Sequence, residues 1–184
     1  MTTQQETTAT YPGWVRDSST RDYFEKEWGK VPLSEETIFE QLCLMTFQLG
    51  LTFTTVLSRR QALYNLLGGY NLEKVAALED EVLEQATQNP AIIRNFYKLK
   101  ACRDNARALI EHDIDLADLF LNAFCRPITV DTVGDLPRTH EASDDICRSL
   151  RLAGLRYIGP VGVCSVAQAL GLIQVRLATV GANS

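Results

Sequence analysis

The sequence lacks the markers of several protein classes. Its five cysteines, Cys43, Cys102, Cys125, Cys147 and Cys164, are odd in number, and no two are closely spaced. That arrangement excludes a disulfide framework and a zinc finger, and it fits a reducing cytosol. No apolar run is long enough to span a bilayer, and no secretory leader pattern is present. The expectation is a cytoplasmic protein with no membrane partner. Basic residues are not in excess: 18 Lys and Arg against 23 Asp and Glu give a formal net charge of −5. A strong non-specific nucleic-acid binder is thereby excluded, and any DNA site must be a local basic patch. Sustained apolar–polar alternation is also missing, so no sheet is predicted.

What is present is enough apolar material for a core: 46% hydrophobic residues over 184 positions, the size of one domain. Residues 1–10, rich in Thr and Gln, read as a disordered tail. Residues 11–172 read as a single helical domain, and 173–184 as a polar-ending tail. Ser34 opens a helix with Glu35 and Glu36 in its first turn. Ile38, Leu42, Met45 and Leu49 form its apolar stripe. A second helix is predicted from about 54 to 67, with Arg59 and Arg60 on a solvated face. The longest helix is predicted over 91–112. Its Arg94, Lys98, Lys100, Arg103 and Arg107 make either a solvated face or a basic patch. The fold class is all-α.

The stretch from Ala142 to Gly171 organises the chain. It reads as helix, tight hairpin, helix. Gly154 suits the left-handed position just past a helix end. Gly159-Pro160 marks the next helix start, because proline tolerates the first turn. Such a corner turns the free N–H groups of Gly159, Val161 and Gly162 outward, where a helix N-terminus suits an anion such as a phosphate. Arg148, Arg151 and Arg156 lie close by in sequence. The same spacing also occurs in ordinary helix–turn–helix corners.

Taken together, several motifs carry a resemblance. They are Glu27-Trp28-Gly29, Leu42-Cys43-Leu44, Gln48-Leu49-Gly50-Leu51-Thr52, Ile92-Ile93-Arg94, Asn105-Ala106-Arg107, Ala142-Ser143-Asp144 and the Gly154–Gly159 hairpin. In this order and spacing the sequence resembles the type I DNA-3-methyladenine glycosylases, within the helix-hairpin-helix glycosylase superfamily. The resemblance implies a two-lobed, all-helical domain that flips a damaged base out of duplex DNA and hydrolyses its bond to the sugar. It implies a base pocket lined by Tyr23, Trp28, Met45, Gln48 and Phe53. Phosphate would be held by Gly154, Arg156, Gly159, Val161 and Gly162. The partner is then double-stranded DNA with a damaged base, bound weakly to moderately and in a salt-dependent way.

The sequence departs from that family on chemistry. The pocket glutamate is Met45, which offers neither charge nor a strong acceptor. The stacking tryptophan is Phe53, a smaller ring. A further tyrosine is replaced by Thr20. The family's zinc clip falls at Tyr11 or Pro12, at Phe24, and near Arg176 and Val180, none of them a ligand of that kind. No metal and no cofactor are expected. Glu25, Glu27 and Glu40 are candidates to replace the missing carboxylate. An enzyme of altered or weakened activity, a non-catalytic DNA-binding module and a helical protein-interaction domain all remain open at this point.

Overall fold

The computed structural model describes residues 11–176. Ten α-helices carry most of them, in agreement with the all-α expectation. They are α1 Ser18–Lys26, α2 Glu35–Gln48, α3 Phe53–Leu57, α4 Arg60–Leu66, α5 Leu72–Ala76, α6 Asp80–Ala86, α7 Phe96–Glu111, α8 Leu116–Ala123, α9 Glu141–Leu152 and α10 Pro160–Ala169. The tail expected before residue 11 and position 180 of the zinc comparison lie outside the described residues.

Helix α2 is the central strut. Ser34 caps it by accepting from the N–H of Thr37. Ile38, Phe39, Leu42, Cys43, Leu44 and Phe47 are all buried, so the helix is covered on most of its circumference. One group of helices, α5 to α7, packs together on one side, and α8 to α10 pack together on another. Helix α2 touches α7, α8 and α10, and so joins the two groups through one apolar core.

Several expectations need correction. The span predicted as one helix over about 54–67 is two, α3 and α4, separated at Ser58 and Arg59. The longest helix begins at Phe96, five residues later than the spacing suggested, because Asn95 takes the cap and accepts from the N–H of Lys98 at 3.1 Å. A small sheet exists after all: β1, Ile128–Val130, pairs in parallel with β2, Ile173–Val175. Three-residue strands are too short to show alternation. Ile173, the first residue of β2, is fully buried.

The basic row of α7 is structural. Lys98 and Arg103 are buried. Lys98 Nζ donates to the carbonyls of Phe47 (2.9 Å) and Leu49, the last turn of α2. A cation there satisfies carbonyls left open at a helix end. Burial lowers the Lys98 pKa below the ordinary lysine value. Arg103 pairs with Asp80 and Asp104, Lys100 with Asp80, and Arg107 Nε donates to the Ala76 carbonyl. Arg60 is no solvated residue either. It holds Glu40 with two hydrogen bonds, of 2.8 and 3.0 Å, and Glu27 with a third.

Candidate base-binding cavity and hairpin

A cavity of about 100 Å³ opens between α1, α2, α3 and α10. It is lined by all five residues that the resemblance placed in a base pocket: Tyr23, Trp28, Met45, Gln48 and Phe53. Tyr23 comes from α1, Trp28 from the turn after it, Met45 and Gln48 from α2, and Phe53 from the first position of α3.

Trp14 joins them, and the aromatic walls are built by edge-to-face contacts. The Trp14 and Phe53 rings meet at 5.4 Å and 86°, and those of Tyr23 and Phe53 at 5.2 Å and 72°. Asp17 locks this corner. Its carboxylate caps α1 through the N–H of Thr20 and accepts from the Thr54 hydroxyl on α3. The Thr54 hydrogen bond, then the backbone one from Thr20, hold its pKa well below the ordinary value of 3.8. Thr20, at a position where the resemblance implies a tyrosine, is fully buried and completes this cap, outside the cavity.

The opposite wall comes from α10, through Ser165, Gln168 and Ala169. Two glycines allow that approach. Gly29 and Gly171 both have positive φ, 73° and 74°. The Gly29 N–H donates to the Ala169 carbonyl at 2.8 Å. A Cβ on Gly171 would lie 2.7 Å from the Gly29 oxygen. The Trp28-Gly29 corner therefore rests directly on the end of α10, and this contact aims Trp28 at the cavity.

No carboxylate lines the cavity among the described residues. Arg60 occupies Glu27 and Glu40, and Glu25 accepts from the Tyr11 hydroxyl at 2.5 Å. None of the three lines the cavity. Among the described residues, those at the positions compared with the zinc clip form no group of metal ligands. Tyr11 and Phe24 meet edge to face at 5.6 Å, and Phe24 stacks on Trp28 at 5.0 Å. Aromatic packing fills that corner, and Arg176 pairs with Asp131.

Sequence reasoning missed Gln41. It lies one turn before Met45 on α2, is fully buried, and lines the cavity. Gln41, Met45 and Gln48 keep the i, i+4, i+7 spacing of one helix face. That polar position inside an apolar helix was the available signal. The expected core stripe was partly wrong: Ile38 and Leu42 are core, Met45 faces the cavity, and Leu49 is 53% exposed.

The hairpin has the expected form. Gly154 has φ 93°, and the Leu155 N–H closes onto the Leu150 carbonyl at 3.0 Å. Leu155 and Ile158 are buried and pin the corner to the core. Gly159 caps α10 without a side chain, and Pro160 follows. The N–H groups of Val161 and Gly162 precede the first intrahelical bond, which runs from Val163 to the Gly159 carbonyl. Asn105 on α7 clamps the loop. Its amide donates to the Arg156 carbonyl at 3.0 Å and accepts from the Arg156 N–H at 2.8 Å. The Arg156 side chain is exposed and lines a surface hollow with Tyr97, Lys100 and Asp104 of α7. Arg148 pairs with Asp145 in an exposed contact. His140 caps α9 with Nδ1, which accepts from the Ala142 N–H at 3.2 Å.

Gly162 joins the two features. A Cβ there would sit 3.9 Å from that of Met45. Helix α10 thus presents bare amides at its first turn and a cavity wall two turns later.

In sequence and in overall fold the chain is similar to known proteins. The chain is 30% identical over 168 residues to DNA-3-methyladenine glycosylase 1 of Escherichia coli (strain K12), with 88% of this chain and 90% of the relative covered. It is 31% identical over 170 residues to a DNA-3-methyladenine glycosylase of Haemophilus influenzae, with 87% and 90% covered. A crystal structure of a 3-methyladenine DNA glycosylase I superposes with a TM-score of 0.80 at 28% identity, covering 89% of this chain and 94% of that one. The model of the methyladenine glycosylase family matches residues 14–182, and this chain belongs to that family.

Proposed function

We propose that this protein is a DNA glycosylase of base-excision repair that takes an alkylated purine, flipped out of the duplex, into the Trp14–Tyr23–Trp28–Phe53 cavity. The observation that carries this reading is the adjacency of that cavity to the free amides at the start of α10. A flipped nucleotide needs both: a slot for its base and an anion site for its backbone.

The reaction places modest demands on the chain. Alkylation at N3 makes the base cationic and weakens its bond to the sugar. Aromatic faces attract the cation. The N9–C1′ bond breaks with its electrons passing to the base, which leaves neutral. Water adds to C1′ and releases a proton to solvent. With Met45 in place of a carboxylate, no charge inside the cavity favours the cation, and the expected activity is weakened or shifted to another lesion. Val161 and Gly162 N–H groups and Arg156 hold a phosphate, so binding falls with salt.

The test is release of base from alkylated duplex DNA, read by chromatography. Release of a methylated purine supports the enzyme. Salt-dependent DNA binding without release at micromolar protein supports the second reading, a non-catalytic DNA-binding module, which Met45 favours. Absence of both binding and release contradicts both.

A further inference from the structure

Gln41 has an unmet hydrogen-bonding need. Its carboxamide oxygen accepts from the Tyr23 hydroxyl at 3.1 Å. Its NH₂ is buried and has no acceptor among the described residues. Buried amide donors are rarely left so. Reversing the amide would not cure the deficit. It would let the NH₂ donate to the Tyr23 oxygen but leave both the Tyr23 hydrogen and the carboxamide oxygen without a partner, since among the described residues the hydroxyl has no other acceptor. Tyr23 keeps its proton, because burial raises its pKa far above neutrality. The carboxamide is thus fixed with its NH₂ as the group left to a ligand, on a residue that lines the cavity.

This reverses the polarity expected of the site. The resemblance puts an acceptor on α2 at position 45, suited to an exocyclic amine. Here position 45 is a thioether, and the polar group one turn earlier is a donor. A donor pairs with a carbonyl oxygen or a bare ring nitrogen and leaves an amine unsatisfied.

We propose that Gln41 is the base-reading residue of this cavity, and that it selects an alkylated purine presenting a carbonyl oxygen, as a guanine-type base does, over one presenting an amine. Tyr23 is its positioning residue. The inference rests on the glycosylase reading above and specifies the base class.

The experiment titrates free 3-methylguanine and free 3-methyladenine against the full chain. Its two tryptophans, Trp14 and Trp28, both line the cavity, so intrinsic fluorescence reports occupancy directly. The wild type should bind 3-methylguanine roughly tenfold more tightly, the scale of one buried hydrogen bond. Gln41→Glu, nearly the same shape, should reverse the preference, and Gln41→Met should abolish it. Tyr23→Phe, which frees the carboxamide to turn, should shrink the preference while leaving Gln41 in place. A wild type that prefers 3-methyladenine, or one preference shared by all four proteins, overturns the proposal. Release of methylated bases from DNA with a preference indifferent to Gln41 overturns this inference alone. Neither quenching nor release in the wild type overturns the glycosylase reading with it.

Discussion

Replacing Gly171 by alanine and comparing the result with Gly154→Ala separates backbone strain from close packing. Both glycines have positive φ, 74° and 93°. Each alanine therefore incurs about 1–2 kcal/mol for a left-handed L-residue, less about 0.4–1 kcal/mol gained by stiffening the unfolded chain. There the likeness ends. A Cβ at Gly154 meets nothing within 4 Å, whereas one at Gly171 lies 2.7 Å from the Gly29 oxygen and 3.3 Å from its carbonyl carbon. Both are backbone atoms, and Gly29 is further held by its bond to Ala169. Relief requires the chain to move, at a cost of about 1–3 kcal/mol. Gly171→Ala should thus lose about 1–3 kcal/mol more than Gly154→Ala. At roughly 2–4 °C per kcal/mol for a chain of this size, that is a further fall of about 2–12 °C in Tm. Thermal or urea unfolding measures it. Because Gly29 follows Trp28, Gly171→Ala should also shift tryptophan emission, and Gly154→Ala should not. Equal destabilisation by the two substitutions would refute the claim that the Gly29–Gly171 contact fixes this wall of the cavity.

Three further outcomes are expected. Met45→Glu should raise affinity for free 3-methyladenine about tenfold, by supplying a charged acceptor to a base that can carry positive charge; unchanged or weaker binding in a fluorescence titration would mean that position 45 does not face the bound base. Asn105→Ala should lower stability by about 1–3 kcal/mol, because it strips both bonds from the Arg156 backbone in a nearly buried place, whereas Arg156→Ala should leave Tm unchanged and reduce the salt slope of DNA binding by about one. Asp17, whose folded pKa is depressed, stabilises the protein fully above the ordinary carboxylate range and loses that contribution as pH falls towards the folded value; the Tm gap between wild type and Asp17→Asn should therefore narrow on acidification, and a gap that widens would contradict the assigned bonds.

Much of this site could be read from residue order, and the exceptions have physical causes. Helical spacing and glycine stops placed α2, α9, α10 and the hairpin, since each local choice there agrees with the packing. The short strands failed because pairing between residues 128–130 and 173–175 is a long-range event that three residues cannot announce. Arg60 was expected on a solvated face, and Lys98 and Arg103 on a solvated face or a basic patch, because charge alone does not reveal a buried partner; here those partners are a carboxylate pair, a helix end and Asp80. Tyr23, Trp28, Met45, Gln48 and Phe53 were identified through family motifs, and the fold brings them to one cavity. Gln41 escaped because nothing in a motif marks it. Its meaning comes from burial, from the Tyr23 hydroxyl, and from an amide left without a partner.

The most direct measurement is tryptophan fluorescence of the wild type titrated with alkylated and with unmodified duplex DNA of the same sequence. A base entering beside Trp14 and Trp28 predicts a saturable change with the alkylated duplex that the unmodified one does not reproduce, and that weakens as salt is raised. Identical responses to the two duplexes, or none, would contradict a lesion-binding cavity next to the α10 amides.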